Sequence, residues 1–253
     1  MKRIIAILFF LSITITLQAQ VFIFENLGQR ISKNDSLKID RVIRYQTAFY
    51  KQFGTIDTIH IKLRLFSSQQ TYEAHLRSQG VPITVYMHSG GGYNSKTKEL
   101  AVPKIKERNY LEVIYHEISH HVIEQVLQNP PIWLNEGLAE YFEHIRIGRN
   151  DITHNIRRIG FIKTMIELKE INLKNFITLD WQNFWRSSVT NDAYSYKLAH
   201  AIVYFLVENH LEYFQQIFSK VKDGTTSFDA IENIYQGGFE QFEKDFFEFY
   251  KNK

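Results

Sequence analysis

A chain of 253 residues with 44% hydrophobic content is long enough to bury a proper core, and four prolines with no obvious linker point to one domain. Its 30 basic and 27 acidic residues give a formal net charge of +3, which offers no basis for binding nucleic acid or an anionic membrane. The absence of cysteine excludes disulfides and a lipoprotein anchor, so stability must come from packing and from any bound metal.

The first nineteen residues form a separate segment. Lys2 and Arg3 precede an apolar run from Ile4 to Leu17, softened by Ser12, Thr14 and Thr16 and closing on Leu17-Gln18-Ala19-Gln20. A basic start, a short apolar stretch and a small residue at its exit are the marks of a secretory signal peptide, with cleavage expected after Ala19 and a periplasmic or secreted product. The run is short for a membrane span, so no stable insertion is expected once it is removed. Losing Lys2 and Arg3 leaves 28 basic against 27 acidic residues over 20–253.

The spacing predicts a helix over Ser36 to Phe53, with Leu37, Val42, Ile43, Phe49 and Phe53 turned inward. Thr58 to Phe66 alternates, with Ile59, Ile61, Leu63 and Leu65 on one face, and reads as a half-buried strand. Ser67 to Gln79 reads as a short helix closed by Gly80, and Val81, Ile83, Val85 and Met87 as a second strand. The turn Ser89-Gly90-Gly91-Gly92-Tyr93-Asn94 leads to a third strand at Glu99 to Val102. From Asn109 on, the pattern is nearly all helical. Asn109 with Glu112 suits a capping box, and the helix it opens must end near Asn129, ahead of Pro130-Pro131. The layout is a sheet lobe over 20–108 and a helical lobe over 109–253.

The helix opened by Asn109 carries His116-Glu117-Ile118-Ser119-His120. Positions i and i+4 share a face, so both imidazoles can reach one metal ion, and Glu117 stands where a base can take a proton from water. Glu136 lies further on, in Trp133-Leu134-Asn135-Glu136-Gly137-Leu138-Ala139-Glu140-Tyr141-Phe142. Two histidines and a carboxylate make a catalytic zinc set with an open position. Glu124 lies eight residues from His116, about 12 Å along the helix axis, too far to share an ion with it. Glu136, on the next helix, can approach from across.

These segments resemble the gluzincin metallopeptidases. The match around Glu136 is similar to the single-zinc aminopeptidases and their small peptidase relatives. The large aminopeptidases separate the second histidine from the glutamate by more than the fifteen residues found here, the difference falling near Pro130-Pro131. The resemblance implies an α+β, thermolysin-like zincin fold. Its parts are a small, mostly antiparallel sheet lobe and a mainly helical lobe, with the metal between them. It also implies one zinc per chain on His116, His120 and Glu136, with Glu117 as general base. Glu140 or Glu143 could orient a ligand histidine, Glu143 matching the family better. In Tyr196-Lys197-Leu198-Ala199-His200, Tyr196 aligns with the family's oxyanion-stabilising tyrosine, with Tyr194 and His200 as alternatives. His121 reads as packing. His60, His75, His144, His154 and His210 carry no spacing signal, and His88 draws interest only for its place near the glycine turn.

The expected activity is therefore zinc-dependent cleavage of a peptide or protein substrate. Two rivals are a zinc-binding module without turnover and a zinc hydrolase of non-peptide amides or esters. The aminopeptidases grip the substrate amine with an acid in a G-A-M-E-N segment. The corresponding His88 to Asn94 holds no acid, with Glu99 the nearest substitute. An extended substrate lying along Glu99 to Val102 as an edge strand would favour an endopeptidase or broad peptidase.

Overall fold

The computed structural model describes residues 22–81, 90–106, 109–149, 151–156, 158–190 and 193–253. The expected signal peptide, most of the Val81 to Met87 strand and His88 lie outside them. Within them the architecture is α+β, a small sheet followed by mostly helical chain. The first half comprises β1 (Phe22–Asn26), α1 (Lys33–Tyr50), β2 (Ile59–Phe66), α2 (Gln69–Ser78), β3 (Gly92–Asn94) and β4 (Glu99–Pro103).

The sheet runs in the order β1-β2-β4-β3, with β1–β2 and β2–β4 parallel and only β3–β4 antiparallel. The mostly antiparallel sheet expected from sequence is thus corrected among the described residues. Connectivity accounts for the first pair: α1 carries the chain back along the sheet, so β2 re-enters parallel to β1. The tight turn between β3 and β4 makes their pairing antiparallel, and there Asn94 Oδ1 accepts the amides of Lys96 and Thr97. Residues alternate along β2, with Ile59, Ile61, Leu63 and Leu65 buried between exposed or half-exposed positions. One wet face leaves that pattern whatever the strand direction.

Helix α1 begins three residues before the expected start because Ser32, not Ser36, caps it. The Ser32 hydroxyl accepts the Asp35 amide at 3.1 Å. The inward face is Ile39, Val42, Ile43, Gln46 and Tyr50, and Leu37, expected inside, is exposed. Ser68 closes a capping box with Thr71 at the head of α2, and Gly80 takes φ +71° just beyond its end.

The helical half comprises α3 (Tyr110–Ile123), α4 (Ile132–Glu143), the ribbon β5 (Ile145–Ile147) with β6 (Ile152–His154), α5 (Ile159–Glu167) and α6 (Leu173–Phe176). Then come α7 (Trp181–Thr190), α8 (Tyr194–Asn209), α9 (Leu211–Lys222), α10 (Ser227–Ile234) and α11 (Gly238–Lys251). Helix α3 stops at Ile123, short of Asn129, because its end tightens into i→i+3 bonds from Gln125 and Val126 that turn Val126 and Leu127 inward. Trp133, Leu138 and Phe142 of α4 and Leu198, Ile202 and Leu206 of α8 are fully buried in one core. Gly137 lets α4 and α8 touch: a Cβ there would stand 2.6 Å from the Ala199 carbonyl oxygen and 2.7 Å from Val203. Among the described residues no helix is long and apolar enough to cross a membrane.

The β5–β6 ribbon is pinned by His154, stacked on Tyr141 at 3.8 Å and 12°. Its Nε2 accepts the Tyr45 hydroxyl at 2.7 Å, and its Nδ1–H donates to the Tyr141 carbonyl at 3.3 Å. Burial pushes the His154 pKa down to about 4, against the weaker pull of Glu208 and that carbonyl. An unfolded histidine titrates near 6.5, so protons bind the unfolded chain first. Stability is therefore expected to fall as pH drops from about 6.5 to about 4, by at most about 3 kcal/mol from this group. Urea midpoints measured across that window should drop less steeply in His154→Phe than in the wild type. Parallel slopes would mean that His154 does not carry the effect.

Candidate functional site

Asn109 caps α3 by accepting the Leu111 amide at 3.2 Å, which fixes the start of the helix and so the phase of the residues after it. His116 and His120 sit one turn apart with ring centroids 4.9 Å from each other. After Pro130-Pro131 the chain returns as α4, which presents Glu136 to both rings. Its Oε2 lies 3.3 Å from His116 Nε2 and 3.6 Å from His120 Nε2. The ligand atoms of the three residues lie within 4.8 Å of one another, a grouping that could hold a metal ion.

The outer nitrogens are held as well. His116 Nδ1 lies 2.9 Å from Glu143 Oε2, and His120 Nδ1 lies 3.0 Å from Asn135 Oδ1. Both acceptors take an N–H from Nδ1, which fixes each ring's orientation and directs its Nε2 toward Glu136. Of the two candidate acids for this role, Glu143 takes it. Glu140 instead faces Arg158 Nη1 at 3.2 Å and His144 Nε2 at 3.3 Å. Glu143 also belongs to two further groupings, with Glu112 and His144 and with His116 and Glu140. Its bond to His116 and the Arg158–Glu140 pair commit those carboxylates, and only His116, His120 and Glu136 border the adjoining cleft as a set.

Charge at the centre is set by burial and by neighbours. Burial opposes protonation of His116, but its bonds to Glu136 and Glu143 outweigh it and hold the pKa well above the ordinary value. Burial would raise Glu136, yet His120 and His116 outweigh it and lower its pKa. At Glu117, burial prevails over the attraction of the two histidines and raises the carboxyl pKa. The site thus has an ionised carboxylate that favours a positive charge beside it, and a second carboxyl with increased proton affinity.

A cleft of about 340 Å³ opens on these residues. The glycine turn forms one wall: a Cβ on Gly91 would lie 3.2 Å from Glu117 Oε1 and 2.6 Å from Val113, so only glycine lets the backbone pass so near. Tyr196 borders the cleft, its ring edge-on to Phe184 at 5.3 Å. The two alternatives do not border it. Tyr194 packs on Phe161 and Phe176, and His200 is buried against His144 and Tyr204.

Two expectations about the substrate wall are revised. Glu99 to Val102 is not an edge strand, because β4 lies between β2 and β3, and β3 is the outer strand among the described residues. Glu99 is tied to Arg64 at 2.6 Å and His75 at 3.4 Å and does not border the cleft. Glu124 does border it, and its carboxylate is held by the Tyr93 hydroxyl at 2.8 Å and Lys98 Nζ at 2.9 Å. His121 packs beside them, its Nδ1 2.9 Å from the Tyr93 hydroxyl.

Sequence reasoning missed Asn135 and the pair Trp181 and Trp185, which also borders the cleft. Asn135 had a signal: a short amide next to Glu136 on a helix facing the histidines. The tryptophans had only their i, i+4 spacing.

A family described as "Protein of unknown function (DUF1570)" matches residues 112–225, a span that contains His116, Glu117, His120, Glu136 and Tyr196. No curated protein matches the chain.

Proposed function

We propose that the protein is an exported, zinc-dependent peptidase of gluzincin type with a thermolysin-like core. The observation that carries the reading is the convergence of His116 Nε2, His120 Nε2 and Glu136 in a cleft that Glu117 also borders. Two imidazole nitrogens and an ionised carboxylate are a donor set zinc accepts, the ion taking the place of the proton on His116 Nε2, and the held Nδ1 atoms supply the orientation such ligands need. His116, His120 and Glu136 would hold the ion, which when bound supplies a Lewis acid for the carbonyl and lowers the pKa of water.

The remaining chemistry belongs to the chain. Glu117 takes a proton from the attacking water and returns it to the departing amine, and its raised pKa suits a group that must both accept and give. The Tyr196 hydroxyl donates a hydrogen bond to the developing oxyanion, kept in place by Phe184 and by the close seating of α8 on α4 at Gly137. A free substrate amine would need an uncommitted acid, but Glu124 is already paired with Lys98 and Tyr93 and Glu99 lies elsewhere. The reading therefore favours an endopeptidase or broad peptidase over a strict aminopeptidase. Residues 1–19 would direct export and be removed.

The test is a peptide library incubated with the purified protein, with and without a chelator, using free and N-acetylated versions of one cleaved peptide. Chelator-sensitive cleavage at equal rates for both versions is expected. Failure to cleave any peptide overturns the peptidase reading, and loss of cleavage on acetylation overturns only the endopeptidase mode.

A further inference from the structure

Trp181 is a large aromatic residue left 48% exposed. It lies one turn before Trp185 on α7, the two indoles parallel within 9° and their centroids 5.9 Å apart, an offset stack. Both border the cleft shared by His116, Glu117, His120 and Glu136. Asp180 Oδ1 accepts the Asn183 amide at 2.8 Å and fastens the first turn, while Phe184 and Ser188 face inward. The Ser195 hydroxyl donates to the Phe184 carbonyl at 2.9 Å, and Tyr196 packs on the Phe184 ring. The platform is thus tied to the start of α8, which carries Tyr196.

We infer that the Trp181–Trp185 pair is a substrate subsite that receives a bulky apolar or aromatic side chain flanking the scissile peptide bond. The inference rests on the peptidase reading and names the substrate class for that same cleft. Trp181, standing half in water beside the chemistry, gains most by covering its exposed surface with another apolar or planar group. Charge narrows the choice. Among the described residues no lysine or arginine borders the cleft, so an acidic side chain or a nucleic-acid phosphate lying on the indoles would find no cationic side chain to pair with. A sugar ring also stacks on tryptophan, but it needs polar partners around its rim. Asn135 is held by His120, Glu124 by Tyr93 and Lys98, and Glu136 faces both imidazoles.

The test profiles cleavage of a peptide library by the wild type, Trp181→Ala and Trp181→Phe. The wild type should prefer Phe, Tyr, Leu or Met over Asp or Glu at one position beside the cleaved bond, by about 10- to 100-fold in kcat/KM. Trp181→Ala should flatten that preference, chiefly through KM, and Trp181→Phe should keep most of it. An unchanged preference in Trp181→Ala overturns the inference and leaves the peptidase reading standing. Absence of any cleavage by the wild type overturns both. Binding of a chito-oligosaccharide that is lost in Trp181→Ala while peptide preference is unchanged would assign the platform to sugar instead.

Discussion

In the Glu117→Gln variant, hydrolysis of a peptide that the wild type cleaves is expected to fall by about 10²- to 10⁴-fold. The amide keeps the shape of the side chain but cannot accept a proton, so water is no longer activated. Shape matters here because Gly91 packs so closely on this carboxylate, and the amide fits the same space. Metal content should be unchanged, since Glu117 is not among the three residues whose ligand atoms gather. The check is kcat/KM alongside elemental analysis. A near-wild-type rate in the loaded variant would mean that another group serves as base.

Glu136→Ala should strip the centre of metal. Among the described residues its carboxylate alone faces the Nε2 atoms of both His116 and His120, and it supplies the negative charge that a cation needs there. Losing a group that merely orients a ligand histidine costs about 10- to 100-fold in affinity, and losing a ligand should cost more. Zinc titration of Glu136→Ala beside Asn135→Ala, which removes only the partner of His120 Nδ1, reads the difference. Equal affinities in the two variants would show that Glu136 is not a ligand.

How much could be read from the chain alone depends on the range of each interaction. The His116/His120 pair is local, because one helical turn sets it. The capping of α3 at Asn109 is equally local, and both stand in the structure where the pattern puts them. Asn109 Oδ1, however, takes the Leu111 amide, and the Glu112 amide bonds the Asn109 carbonyl instead of closing a capping box. Between Glu140 and Glu143 the spacing was silent, since both share a face with Glu136, and only the family resemblance favoured Glu143. The choice is made by how far α4 is shifted along α3, a tertiary quantity. The direction of the sheet was illegible for a similar reason: alternation records a wet face and a dry one, whereas pairing direction depends on connections, part of which falls in residues 82–89. The cleft's aromatic wall has no local mark beyond the i, i+4 spacing of its tryptophans. Trp181 and Trp185 look like any helix-face aromatics until α7 docks beside Tyr196.

Helix α4 engages both nitrogens of His116 and of His120. It meets His116 through Glu136 and Glu143, and His120 through Glu136 and Asn135. Sliding one helix along the other would therefore break four contacts together, so the centre is assembled or absent, with no half-formed version. The eight residues between Ile123 and Ile132 take no part in these contacts, which is why that connection can be short without moving the donors. Any cation held there acts as a rivet between the two helices. A rivet present at a hundred times its dissociation constant adds about 2.7 kcal/mol to the stability of the whole molecule.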